Sequence, residues 1–128
     1  MANHVYPVLQ YRDPGAAIDF LERAFGFELI NSHTSDDGTI GYVQMRWGDS
    51  PVEFGPETDL GIERFGSHSG KGWIYVTVDD PDAHHERAKA AGAAIAMELA
   101  DQDYGSRDYS ARDPEGNLWS FGTYDPLK

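Results

Sequence analysis

Asp13-Pro14-Gly15-Ala16 and Asp80-Pro81-Asp82-Ala83 open two helix-like segments that start 67 positions apart in a chain of 128 residues. An apolar, strand-like run precedes each one (Val5 to Tyr11, then Trp73 to Val78), and a glycine follows each (Gly26, Gly92). A repeat of that length is a whole supersecondary unit rather than a solenoid turn, so the chain is expected to fold as two copies of one strand-helix-strands module. Two half-domains set face to face enclose a cleft, and a ligand is expected there.

In the first copy Asp13 suits the N-cap and Pro14 the first helical position. Ala17, Ile18, Leu21, Ala24 and Phe25 recur with helical spacing, and Gly26 supplies a left-handed stop. Strands are expected over Phe27 to His33, Ile40 to Trp47 and Val52 to Gly55, with turns at Ser35-Asp36-Asp37-Gly38-Thr39 and Gly48-Asp49-Ser50. From 57 to 72 the chain loses periodicity and carries Gly61, Gly66, Gly70 and Gly72, as a linker would. The second copy repeats the order: a strand from Trp73 to Val78, a helix capped by Asp80 with Ala83, Ala88 and Ala91 on one stripe, then strands over Ile95 to Leu99, Arg107 to Arg112 and Leu118 to Tyr124. Asp113-Pro114-Glu115-Gly116-Asn117 reads as a tight turn between the last two. The expected fold class is α+β: one domain of two β-α-β-β-β modules, about 4–56 and 73–125.

Ten Lys and Arg against 22 Asp and Glu leave a net charge of −12, which repels phosphate backbones and anionic headgroups and argues against a nucleic-acid partner. The acidity serves solubility, or it draws in a cationic ligand; composition leaves both open. The absence of cysteine excludes disulfides, thiolate nucleophiles and cysteine-based zinc sites. Met1-Ala2-Asn3-His4 shows no basic stretch ahead of an apolar one, and no apolar run reaches the length of a membrane span, so a soluble cytoplasmic protein with no membrane partner is expected. Neither a G-x-S-x-G elbow nor a phosphate-cradling glycine loop follows a strand.

Three stretches carry a resemblance: Tyr11-Arg12-Asp13-Pro14 with Ala17 and Phe20; Val78-Asp79-Asp80-Pro81-Asp82-Ala83 with Ala91-Gly92-Ala93; and Asp113-Pro114-Glu115-Gly116-Asn117 followed by Leu118-Trp119-Ser120-Phe121. Spread over nearly the whole chain, they resemble the vicinal oxygen chelate superfamily, which includes glyoxalase I, the extradiol dioxygenases and the fosfomycin and bleomycin resistance proteins. The resemblance implies paired modules whose curled mixed sheets surround a cleft, usually in a homodimer. It leaves the chemistry open, because metalloenzymes and metal-free binding proteins share this scaffold. Metal-dependent members carry His or Glu on the first and last strands of each module, and the matching positions here are Tyr6, Glu53, Trp73 and Ser120. Only Glu53 is a ligand type, and one carboxylate does not hold a catalytic divalent ion. The histidines offer little rescue. His4 shares the parity of Tyr6 but sits at the N-terminus, His33 lies at a strand end, and His68 belongs to the glycine-rich connection. His84 and His85 are helix neighbours pointing about 100° apart, with at least one expected on the surface. No metal and no cofactor is expected.

Strand alternation sends Pro7, Leu9, Tyr11, Ile74, Val76, Val78, Trp119 and Phe121 under the helices, and turns Val8, Gln10 and Thr77 the other way together with the candidate site. That site comprises Tyr6, Tyr42, Gln44, Arg46, Glu53, Trp73, Tyr75, Ser120 and Tyr124, with Tyr104 at the cleft mouth on a loop loosened by Gly105. Tyrosines and an indole stack flat molecules and bond their edges, and Trp73 can add cation–π contacts. The same face serves equally to pack against a second copy of the chain. Arg46 and Glu53 either pair with each other or each meet a charged ligand group. The function expected is metal-independent small-molecule binding: sequestration of an aromatic compound, cationic or neutral, in the manner of the bleomycin-resistance branch and without catalytic residues. The alternatives are a metal-dependent lyase, isomerase or transferase of the glyoxalase type built on Glu53, and a dimeric scaffold whose cleft is filled by its own side chains.

Overall fold

The repeated Asp-Pro pair adopts one geometry twice. Asp13 (φ −127°, ψ 84°) and Asp80 (φ −128°, ψ 85°) each cap a helix with Pro at its first position, accepting from the backbone N–H of Ala16 at 3.0 Å and of Ala83 at 3.1 Å. A computed structural model describes residues 3–128. Its elements are β1 (Val8–Tyr11), α1 (Pro14–Phe20), β2 (Glu28–Thr34), β3 (Ile40–Trp47), β4 (Ser50–Pro56), α2 (Asp59–Phe65), β5 (Trp73–Thr77), α3 (Pro81–Ala90), β6 (Ala94–Asp101), β7 (Arg107–Arg112) and β8 (Leu118–Gly122). After Phe20 the first helix widens into a π-helical turn over Leu21–Phe25 and stops at Gly26, φ 82°. The strands form two four-stranded mixed sheets, ordered β1-β4-β3-β2 and β5-β8-β7-β6, the first strand of each lying parallel to the last. The architecture is α+β, and neither sheet closes into a barrel.

Registers repeat as closely as the caps. Val8 lies beside Glu53 and Tyr75 beside Ser120; Gln44 lies beside Glu53 and Ser110 beside Ser120. Positions 66 or 67 apart in sequence therefore occupy matching places on the two sheets.

The helices bury a common core. Ala17, Leu21, Ala24 and Phe25 are buried as the spacing predicts, Ile18 of the same stripe is half-buried and Phe20 is buried beside them, and the Phe25 ring packs on Trp119, Phe121 and His84 of the second half. Tyr11, Val76, Val78, Trp119 and Phe121 are buried, Leu9 and Ile74 half-buried, and Pro7 exposed. Pro7 lies ahead of β1, which begins at Val8 rather than Val5, so Tyr6 is also outside the ladder.

Two further expectations change. His84 and His85 are both buried, at 8 % exposure each, so neither is the surface residue expected on α3. Of the alanine stripe expected there only Ala88 is buried, Ala91 is half-buried and Ala83 exposed, so the imidazoles, with Pro81, fill the space against the sheet. His84 donates from Nε2 to the Phe25 carbonyl at 2.9 Å and accepts from the Tyr109 hydroxyl at Nδ1, 2.6 Å away. Burial holds its pKa below the ordinary histidine value; the Phe25 contact opposes this and Arg87 adds to it. The segment read as an aperiodic linker contains α2, capped by Thr58 and terminated by Gly66 (φ 65°). None of its residues is buried, so it carries no apolar stripe for a periodicity to reveal.

The Asp-Pro-Glu-Gly-Asn turn ties the halves together. Asp113 accepts from the Glu115 and Asn117 backbone N–H groups, the Asn117 side chain, the Trp119 indole and the Tyr11 hydroxyl of β1. Burial, reinforced by Asp113, pushes the Tyr11 phenol far above its ordinary pKa. Glu115 accepts from the backbone N–H groups of Arg12 and Asp13 and from the Ser69 hydroxyl. Gly70 passes so close that a Cβ there would sit 2.4 Å from the Glu115 carbonyl oxygen, and its φ of 81° disfavours any other residue.

Candidate functional site

On the face of the second sheet away from the helices, Trp73 and Tyr75 of β5, Met97 of β6, Asp108, Ser110 and Arg112 of β7, and Ser120 of β8 line a concavity of about 380 Å³, with Tyr104 from the β6–β7 connection. Trp73 is 75 % exposed, and its indole N–H donates to Ser120 Oγ at 3.0 Å. Ser120 Oγ is itself 2.8 Å from Ser110 Oγ. One wall is thus a large π-face held by its edge, with the rest of the ring free to stack.

At the far end sits Asp108, which sequence reasoning missed. It is 2 % exposed, and three hydroxyls converge on its Oδ2: Ser106 at 3.1 Å, Tyr104 at 3.2 Å and Tyr75 at 3.3 Å. Partial desolvation, with Asp108 behind it, raises the Tyr104 phenol pKa. The Tyr104 ring packs edge-on against Tyr124, whose backbone N–H donates to the Tyr75 hydroxyl at 3.1 Å. Asp108 lies opposite Gly122 in the ladder, and a Cβ at Gly122 would meet the Asp108 Cβ at 2.3 Å and the Tyr75 hydroxyl at 2.5 Å. The glycine makes room for this cluster. Alternation along Arg107 to Arg112 puts Asp108, Ser110 and Arg112 on the same side as Ser120, a signal that could have found Asp108.

The first sheet has its own concavity, about 190 Å³, lined by Tyr6, Ile30, Gln44, Pro51, Val52 and Glu53. Gln44 donates to Glu53 at 2.9 Å, while Arg46 meets Glu28 at 3.4 Å; the Arg46–Glu53 pair does not form. Tyr42 stacks on His33, ring centres 5.8 Å apart, and faces Asn31 at 3.5 Å. Neither concavity takes a residue from the other half, so a single chain brings Trp73, Tyr75, Tyr104 and Ser120 together but leaves Tyr6, Tyr42, Gln44, Arg46 and Glu53 elsewhere. A larger groove of about 530 Å³ runs between the halves beside Val5, Pro7, Trp47, Val76 and Leu127. Its walls are mostly hydrocarbon, and the Trp47 indole N–H is already committed to the Thr77 carbonyl at 2.9 Å.

The residues present do not fit a catalytic divalent ion. Among the described residues of one chain, no three His, Asp or Glu side chains cluster as ligands would. Of the four positions matched to the metal-dependent relatives, Trp73 offers an N–H donor and no lone pair, and Ser120 accepts that donor. Glu53 is bonded to Gln44. His4 is exposed, His33 stacks on Tyr42, and the exposed His68 lines a separate shallow concavity with Val8 and Gln10. No helix among the described residues is long and apolar enough to cross a membrane.

The family model for the Glyoxalase/Bleomycin resistance protein/Dioxygenase superfamily matches residues 2–121. An uncharacterised protein of Mycobacterium bovis is 32% identical over 124 residues, covering 91% of this chain and 80% of its own length. Among solved structures, TioX from Micromonospora sp. ML1 shares 35% identity at a TM-score of 0.79, with 96% of this chain and 97% of that one covered. TnmS3, an antibiotic binding protein from Streptomyces sp. CB03234, superposes at a TM-score of 0.76 over 98% of both chains; at 18% identity it attests the fold.

Proposed function

The chain belongs to the glyoxalase/bleomycin resistance protein/dioxygenase superfamily, and on that premise we propose that it is a metal-independent binding protein that sequesters a flat aromatic compound. The observation that carries the reading is Trp73. An exposed indole, anchored by its N–H to Ser120, stands in a concavity shared with Tyr75 and Tyr104, at a position that the sequence resemblance matches to a ligand of the metal-dependent relatives. Burying flat apolar surface between such rings, with hydroxyls to orient its edge, is sufficient for sequestration and needs no reacting group. The antibiotic binding attributed to TnmS3 is in keeping with this reading.

The working form is a cytoplasmic homodimer in which the first-half face of one copy covers the second-half face of the other. This assembly would give Tyr6, Tyr42 and Glu53 a part in the site they do not have within one chain. Support comes from the apolar side chains left exposed on strands of both sheets, Val8 and Ile30 on one, Trp73 and Met97 on the other.

The test combines three measurements on untagged protein purified without chelators: metal content by elemental mass spectrometry, molecular mass by sedimentation, and quenching of tryptophan fluorescence by flat aromatic compounds. The expected result is a metal-free dimer whose fluorescence is quenched saturably and whose Trp73→Ala variant binds at least tenfold more weakly. A stoichiometric transition metal would overturn the proposal in favour of a metal-dependent lyase, isomerase or transferase.

A further inference from the structure

Asp108 has one feature that its structural surroundings leave without a use. All three hydroxyl donors reach Oδ2, while Oδ1 is buried and has no hydrogen-bond partner among the described residues. No lysine, arginine or histidine forms an ion pair with this carboxylate among the described residues. The arginine next to it in sequence, Arg107, is turned outward to Asp82 at 2.8 Å and Asp101 at 3.1 Å, and Arg112 donates to the Gly116 carbonyl. A buried carboxylate oxygen with neither donor nor counter-charge is costly in a fold that otherwise satisfies its polar groups, unless something else supplies them.

We propose that Asp108 is the anchor for a positively charged nitrogen of the ligand, so that the compound bound is an aromatic ammonium, amidinium or protonated heterocycle whose N–H group donates to Oδ1. The inference rests on the aromatic-binding reading above and adds the charge. Geometry supports it from both ends of the concavity: Trp73 supplies the stacking face, and Asp108 supplies the acceptor, flanked by the Tyr75 and Tyr104 rings, whose π-faces also favour a cation. Because Oδ1 has no exposed surface in the free protein, a ligand N–H reaches it only by displacing a neighbouring group, and Tyr104, 62 % exposed, is the most exposed of the three hydroxyl donors around the carboxylate. The space at Gly122 fits the same purpose, since a side chain there would collide with Asp108 and Tyr75.

The probes are 9-aminoacridine, which is protonated at pH 7.5, and acridine, which has the same ring system and is neutral. Binding is read from fluorescence with about 0.3 M sodium chloride present, where the Debye length shrinks to about 5–6 Å and the general attraction of an acidic surface is screened. Wild-type protein is expected to bind 9-aminoacridine at least tenfold more tightly than acridine. Asp108→Asn should abolish that preference and leave acridine affinity within about threefold. Near-ultraviolet circular dichroism checks that the variant is folded; if it is not, the wild-type preference at high salt decides the matter by itself. Equal wild-type affinity for the two probes would overturn the charged anchor and leave aromatic binding standing. Failure of both probes to bind would overturn both readings.

Discussion

Where the second sheet sets Asp108, the first sets Tyr42, 66 positions earlier; where the second sets Ser120, the first sets Glu53. The backbones beneath these pairs are interchangeable. Caps agree to a degree in φ and ψ, and the glycine that gives Asp108 its space, Gly122, has a counterpart in Gly55. Repetition therefore governs what the fold needs, namely caps, strand order and inward-facing apolar residues, and lapses on the concave faces. The first face holds a carboxylate, Glu53, that accepts a hydrogen bond from the Gln44 amide, and a tyrosine stacked on a histidine. The second holds an anchored indole and an unneutralised carboxylate. A scaffold that duplicates its frame but not its faces is suited to grip the two ends of an asymmetric ligand differently.

The contrast is sharpest at the junction of the halves. Asp113 occupies the place that Trp47 occupies 66 positions earlier, and both reach across: Asp113 to the Tyr11 hydroxyl, Trp47 to the Thr77 carbonyl. Asp113→Ala would strand the Tyr11, Asn117 and Trp119 side-chain donors in the interior. At about 1–3 kcal/mol for each unsatisfied buried group, summed less than additively, the loss should be about 3–5 kcal/mol by urea denaturation. Trp47→Phe gives up one bond and some contact area, with an expected cost of about 1–2 kcal/mol. Equal losses would show that the two latches are equivalent and that the turn motif carries no special load.

The helices differ at Ala17 and its counterpart His84, both buried. Because burial lowers the folded-state pKa of His84, the neutral ring contributes its stability above the unfolded-state value near 6.5. As the pH falls through that value toward the lower folded one, the unfolded chain takes up a proton that the folded ring resists, and stability declines. The denaturation midpoint should therefore drop between about pH 7.5 and 5.5 in the wild type and drop less in His84→Gln. Identical slopes would remove His84 from the explanation.

Much of this frame is legible in the sequence itself. The Asp-Pro caps, the stripe from Ala17 to Phe25 and the strand alternation around Val76 and Phe121 each follow from local rules acting on residues that must be buried. Features without that compulsion were harder to read. The α2 helix buries nothing, and α3 fills its core face with imidazoles, which a polarity pattern counts as surface. Asp108 escaped because an acidic residue at an inward position reads as rim until its three hydroxyl donors are seen converging from Tyr75, Tyr104 and Ser106. Cavities drawn from one sheet at a time were equally invisible, since alternation tells which face a residue joins and not which other sheet that face meets.

Smaller effects on stability sharpen the comparison of the two faces. Trp73 is so exposed that Trp73→Ala should shift unfolding by no more than about 0.5 kcal/mol in a single chain, while removing most of the stacking surface available to a ligand. A loss of several kcal/mol would instead mark the indole as a packing residue that fills the cleft with the protein's own side chains and leaves no open face for a ligand.

The least expected effect is at Glu53. Glu53→Gln keeps an acceptor for Gln44 Nε2 and a side chain of the same shape, so stability should change by less than about 0.5 kcal/mol. Affinity for a cationic aromatic probe should fall by less than about threefold, because the charge that matters sits 55 positions later, at Asp108 on the other sheet. The same substitution would be severe if the first face held a metal, since Glu53 is the ligand-type residue among the four matched positions, and a metal-dependent activity would vanish with it. Comparing Glu53→Gln with Asp108→Asn on one probe thus decides which of the two concave-face carboxylates the ligand reads.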